Sequence, residues 1–213
     1  MNAPHTADVL RRFTAPRAES AVQERCDLCK SPLAGEHPHL VDLGSRRLLC
    51  TCAPCALLFD HRGASEGRFK RVPTERRRVR DLHLGAEFWE RLQIPVRLAF
   101  FFANSEMDKV VAFYPGPAGA TESLLPLDAW REVVAANPAF AALESDVEAV
   151  LLRAREGAPP DCYLVPIDVC YALTGLVRRT WKGFEGGAEA LQAIDRFFAD
   201  LDASARDAAG SAP

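Results

Sequence analysis

CDLCKSPLAGEHPHLVDLGSRRLLCTCAPC, residues 26–55, holds five of the chain's seven cysteines. Cys26 and Cys29 form one C-x-x-C pair and Cys52 and Cys55 a second, with 22 residues between the pairs. A C-x-x-C turn lets two thiolates approach one ion, and two such turns complete the tetrahedral sulfur shell that zinc prefers. In a reducing compartment, paired spacing of this kind argues for metal binding rather than disulfides. The expected ligands are therefore Cys26, Cys29, Cys52 and Cys55, around one tightly held zinc ion. Cys50 stays open as a substitute for Cys52, a neighbouring reactive thiol or an inward-packed side chain. In a further alternative, His37 or His39 approaches the same ion through a changed loop.

The residues between the pairs predict a hairpin. Leu40-Val41-Asp42-Leu43 and Arg46-Arg47-Leu48-Leu49 flank Gly44-Ser45, a credible turn. Cys55-Ala56-Leu57-Leu58-Phe59 reads as the first turns of a helix. Knuckle, hairpin and helix in this order resemble a treble-clef zinc fold. So small a unit has few large apolar residues, so the ion substitutes for a core. Structural zinc in peptide-sized domains contributes about 10–16 kcal/mol of apparent binding energy that is also folding energy. Iron is the alternative ion, because four thiolates alone do not select the metal. The paired turns superficially resemble rubredoxin, but that family usually has glycine after each pair. Here Lys30 and Ala56 stand in those places.

Outward from the cysteines, 213 residues suffice for a sizeable domain with a small module appended. The hydrophobic share is 48% and the charged share 26%, enough to build a core. The net charge of -3 gives no global mark of nucleic-acid binding. No apolar run approaches the roughly 18–20 residues that span a bilayer, so no membrane insertion is expected. The first twenty residues lack the continuous apolar stretch of a secretory signal. The expectation is a cytoplasmic α+β protein. Residues 1–23 form a flexible tail, 24–60 the four-cysteine module, 61–80 a basic connector, 81–202 an α+β domain and 203–213 a second tail.

Within the larger domain, Phe88–Leu92 reads as a short helix. Val96–Phe102 and Lys109–Tyr114 read as a strand hairpin across the turn Asn104–Asp108, because aromatic residues pack well on a pleated surface. Pro115-Gly116-Pro117 is expected to end it, with a loop onward to Pro126. Trp130, Val133, Val134 and Asn137 have helical spacing, stopped by Pro138. Leu143, Val147, Val150, Leu151 and Ala154 predict a longer helix by their apolar stripe. Cys162–Ile167 reads as a strand, Asp168 to about Val177 as a helix and Ala188–Leu201 as the last helix. The Ala-rich end from Ala203 should fray.

Arg62, Arg68, Lys70, Arg71, Arg76, Arg77, Arg78 and Arg80 face only Glu66 and Glu75 in their neighbourhood. This local excess suits phosphate or an acidic protein surface, or pairs with the chain's own acids. No recognition motif with interleaved aromatics accompanies it, so nucleic acid is the weaker reading. Near the other end, Arg178, Arg179 and Lys182 precede Gly186-Gly187. Their competing readings are an anion site and an ordinary helix end anchored by Trp181. Cys162 and Cys170 read as buried apolar residues. No nucleophile–base pair is named by the sequence, so no catalytic residue is assigned.

Three further stretches join the cysteine motifs in a broader pattern. They are Leu49–Phe59, Phe113–Leu127 (FYPGPAGATESLLPL) and Val165–Tyr171 (VPIDVCY). Together with Cys26–Cys29 they resemble an uncharacterised bacterial family often encoded near nickel–iron hydrogenase genes, over roughly residues 24–202. Cys50 fits that pattern. The resemblance implies a cytoplasmic accessory protein that contacts a hydrogenase subunit or maturation factor, rather than an enzyme. It names no catalytic residue and no nickel-delivery step. An iron-binding electron-transfer protein and a zinc-containing nucleic-acid binder are the alternatives.

Overall fold

The structure is a computed structural model, and it describes residues 23–61, 63–84, 88, 97–123, 128–155, 157–183 and 186–208. Two sheets organise it. β1 (His39–Asp42), β2 (Arg47–Cys50) and β3 (Phe69–Arg71) form a small antiparallel sheet in the order β2-β1-β3. Helix α1 (Ala53–Leu57) follows β2. The larger sheet uses β4 (Arg77–Arg78), β5 (Leu98–Asn104), β6 (Lys109–Gly116), β7 (Gly119–Ser123), β8 (Glu148–Arg155), β9 (Ala158–Pro166) and β10 (Arg206–Asp207). Its order is β10-β4-β9-β8-β5-β6-β7. Helices α2 (Asp128–Ala136), α3 (Ile167–Thr180) and α4 (Gly187–Ser204) complete the α+β fold.

The large sheet is apolar on both faces, and alternation along its strands sorts side chains between them. Leu98, Phe100, Ala149, Leu151, Tyr163 and Val165 face α3 and α4, where Leu173, Val177, Ile194 and Phe198 meet them. Ala99, Phe101, Val150, Leu152, Cys162 and Leu164 join the opposite cluster with Trp130, Val133 and Phe140. Trp130 stacks between Phe101, at 4.6 Å, and Phe140, at 5.8 Å. Asn137 closes α2, its amide donating to the carbonyl of Val133 at 2.7 Å.

Two-sided burial explains the main correction. Residues 143–154 are not a helix: Leu143 ends a short 3-10 turn over Pro138–Ala142, and Glu148–Arg155 is central strand β8. Every residue from Val147 through Leu152 is buried, so the run lost the alternation that marks a one-sided strand and matched a helical stripe by accident. The expected loop after Pro115 is also corrected. Pro115 and Gly116 finish β6, and Gly119 turns with φ 117° into edge strand β7. Pro115 lies beyond the β5–β6 register, which ends at the Phe100–Phe113 pair, so its missing N–H is tolerated. At the C-terminal end, α4 continues to Ser204 and Arg206–Asp207 lie parallel to β4 in place of a frayed end. The expected helix at 88–92 lies outside the described residues apart from Phe88.

The small sheet rests against the large one. Val41 and Val72 enter the cluster formed with α3 and α4. Lys70 reaches across to Asp146 at 2.9 Å and to the carbonyl of Ser145 at 3.1 Å. Among the described residues no helix is long and apolar enough to cross a membrane.

Candidate metal centre

The first cysteine pair sits on a tight turn. The Lys30 amide donates to the Cys26 carbonyl at 2.8 Å, and the Cys26 amide donates to the Ser31 carbonyl at 2.8 Å. The turn requires a left-handed residue, and Lys30 supplies it with φ 65°. That conformation is steric strain for a side chain other than glycine's. The Lys30 ammonium donates back to the Asp27 carbonyl at 2.7 Å, a bond that glycine would not make. The second pair opens a helix: Cys52 is the N-cap of α1, and the Ala56 amide donates to its carbonyl at 2.9 Å.

Asp27 ties the two pairs together. Its amide donates to the Cys50 carbonyl at 2.8 Å, and its carboxylate accepts from the Cys50 amide at 2.8 Å. This reciprocal pair clamps the first turn to the end of β2, two residues before Cys52. As a result the sulfurs of Cys26, Cys29, Cys52 and Cys55 all lie within 4.8 Å of one another. Cys29 and Cys52 are 3.6 Å apart. Four sulfurs at the zinc–thiolate bond length of a tetrahedral site stand about 3.8 Å apart. The set can therefore hold a metal ion such as zinc.

Their neighbours push the four-cysteine thiols in opposite directions. Hydrogen bonds from the Ser31 hydroxyl and amide pull Cys29 down to about 6. Burial pushes Cys26 up, but the amides of Cys29, Cys52 and Leu28 outweigh it and leave that thiol lowered. Cys55 moves the other way, to about 12, chiefly through its contacts with Cys52 and Cys29. Crowded thiolates resist joint ionisation, and a cation removes the conflict.

Cys50, His37 and His39 fall into a separate group, whose ligand atoms also lie within 4.8 Å of one another. His39 donates through Nδ1 to the Asp168 carboxylate, 2.8 Å away on α3. A contact across 129 residues left no signal in the sequence.

The basic segment is engaged with the chain's own acids. Arg68 meets Asp42 through two bonds of 2.9 and 3.2 Å, and Arg77 meets Glu148 at 2.8 Å. Arg71 pairs with Asp60, Arg78 with Asp161 and Asp202, and Arg80 with Asp207. Near the C-terminal end, a Cβ on Gly186 would come within 3.0 Å of the Trp181 ring, and Lys182 pairs with Glu189. Gly186 makes room for Trp181, in agreement with the helix-end reading. Cys162 and Cys170 are buried, and burial raises both thiols.

Residues 25–205 match a family of unknown function, DUF5947. No curated protein and no solved structure matches the chain. The chain belongs to the DUF5947 family.

Proposed function

We propose that this member of the DUF5947 family is a cytoplasmic zinc-binding accessory protein that docks to a protein partner through its four-cysteine module. The observation that carries the reading is the closed group of four sulfurs from Cys26, Cys29, Cys52 and Cys55. A four-sulfur shell leaves no position for substrate, so its ion is structural rather than catalytic. Knuckle, hairpin and helix around it follow treble-clef order over residues 24–60. In this reading 24–60 is the metal module, and the α+β domain gathers 81–202 together with β4 from the basic segment and β10 from beyond α4.

The module presents Leu28 on the first knuckle, Leu57 on α1 and Leu58 at its C-cap, all exposed, with Leu58 at 68%. Apolar side chains on a metal-stiffened turn suit a partner surface, since little ordering cost accompanies binding. The basic segment supports nucleic acid less, because its described cations are bonded to Asp, Glu or Ser side chains of the same chain. The choice of a hydrogenase subunit or maturation factor as partner rests on the resemblance of Phe113–Leu127 and Val165–Tyr171 to hydrogenase-linked proteins.

The iron alternative draws on one specific feature. Lys30 adopts the left-handed turn despite its side chain, so the absence of glycine there does not bar a rubredoxin-like site. Elemental analysis after mild chelation separates the two: one zinc per chain is expected in the four-sulfur site. Stoichiometric iron with a thiolate-to-iron absorption spectrum would replace zinc by an electron-transfer centre. Docking is tested by recovery from native cells at near-physiological salt. Hydrogenase subunits or maturation proteins should be retained after nuclease treatment and lost with Leu57→Asp/Leu58→Asp, while zinc content stays constant. Recovery dominated by nucleic acid and abolished by nuclease would overturn the docking reading.

A further inference from the structure

We infer that His37, His39 and Cys50 form a second metal site, separate from the four cysteines, that takes a divalent cation of the zinc class and leaves one coordination position open. One nitrogen from each histidine and the Cys50 sulfur lie within 4.8 Å of one another. The rings themselves are 4.8 Å apart between centroids, tilted by 55°. The rings are therefore tilted to each other rather than stacked face to face.

Each ring is already oriented by an oxygen on its Nδ1. The His37 Nδ1 bonds the Ala34 carbonyl at 3.0 Å, and the His39 Nδ1 bonds the Asp168 carboxylate at 2.8 Å. Such bonds fix Nδ1 as the protonated nitrogen and leave the Nε2 lone pair for an ion. The His37 Nε2 is buried and has no hydrogen-bond partner, on a side chain only 8% exposed. A buried polar atom without a partner is costly, and a cation supplies what it lacks. The carboxylate–histidine pair of Asp168 and His39 is the usual outer support of a metal-bound imidazole. Glu24, 3.8 Å from His37, adds a second nearby negative charge.

Two nitrogens and one sulfur suit a borderline-soft cation, and three protein ligands are the count of a zinc site that keeps its fourth position for water or an outside ligand. His39 and Cys50 are partly exposed, which gives that position a route to solvent. The two sites differ in kind. The four sulfurs enclose their ion, whereas the second group offers an ion to the exterior. Cys50 stands at the end of β2, clamped by Asp27, so one strand end serves both sites.

The test uses the full chain, purified with its own metal and dialysed against a mild chelator, then titrated with cobalt(II). Wild type should take up one added equivalent, with d–d bands of a four- or five-coordinate ion and a charge-transfer band from one thiolate. His37→Gln and His39→Gln should each weaken this uptake by about 100-fold, and Asp168→Asn by about 10–100-fold, as loss of an outer carboxylate does. Cys50→Ser should remove the thiolate band even where uptake persists. Each variant's retained four-sulfur ion reports that the module is folded. A variant that loses that ion is set aside, and the Cys50→Ser band then decides. Wild type without an added equivalent, or with one indifferent to these substitutions, overturns the site. Failure of the four-sulfur reading would instead appear as a missing resident ion.

Discussion

Leu40 in β1 and Leu151 in β8 are both fully buried, yet they are held in different ways. Leu151 lies in a cluster shared by two helices and the central strands of a seven-stranded sheet. Leu40 lies in a three-stranded sheet whose cysteine-bearing end, among the described residues, buries beside it the apolar residues Cys26, Leu33, Leu49 and Ala56. Apolar burial near 25 cal/mol per Å² can hold the first region but leaves the second short of a core. The four sulfurs stand where that core would be. In the proposed reading one region is stabilised by removing surface from water, the other by concentrating ligands on a point.

Metal removal is the harshest way to break this comparison. Stripping the ion, or replacing one ligand with Cys52→Ala, should remove stabilisation on the order of 10 kcal/mol from the knuckles. Hydrogen exchange should then show loss of protection over residues 25–34 and 47–59. Protection in β5, β8 and β9 should remain. Unfolding of both sheets together on metal loss would show that the large sheet depends on the ion too.

The converse experiment removes apolar volume from the large sheet. Leu151→Ala should cost about 2–5 kcal/mol, because its fully enclosed side chain leaves a cavity between β8 and the α3–α4 layer. Denaturant unfolding followed by aromatic fluorescence measures it. The ion should remain bound at temperatures where the chain stays folded. Loss of metal in parallel with the core would place both regions in one cooperative unit, tied by Val41, Val72 and the Lys70–Asp146 pair.

The same contrast governs what the sequence disclosed. The cysteine pairs were legible because their chemistry is local: two ligands two residues apart need a turn, and the turn is written beside them. The hairpin Arg47–Cys50 against His39–Asp42 and the helices after Asp168 and near Ala188 were legible through turn residues and a one-sided stripe. β8 was not, since burial on both faces makes strand and helix patterns alike. The partners of Arg77, Arg78 and Arg80 were hidden for another reason. Glu148, Asp161, Asp202 and Asp207 lie 71 or more residues away. The basic run therefore read as a connector, its pairing with the chain's own acids one reading among three, although part of it, β3 and β4, contributes strands to both sheets. The His39–Asp168 contact was hidden in the same way.

The mildest probe lies within the small sheet and separates ion pairing from metal binding there. Asp42 accepts two bonds from Arg68, and these hold its carboxyl at about 2, below the ordinary value near 3.8. Because the folded value is the lower one, the pair's contribution is fully present above about pH 4 and is lost as pH falls towards 2. Arg68 is mostly exposed, so solvent screens much of the interaction. Arg68→Gln should lower Tm by about 2 °C, far less than loss of a ligand or of Leu151. The difference from wild type should stay constant between pH 8 and 5, because Asp42 remains ionised in both variants throughout that range. Metal release by thiol protonation acts on both proteins alike and cancels in the difference. Thermal unfolding of the two metal-loaded proteins across this range provides the measurement. A gap that changes between pH 8 and 5 would mean that Arg68 acts through the thiolate cluster, and the small sheet would then have a single source of stability instead of two.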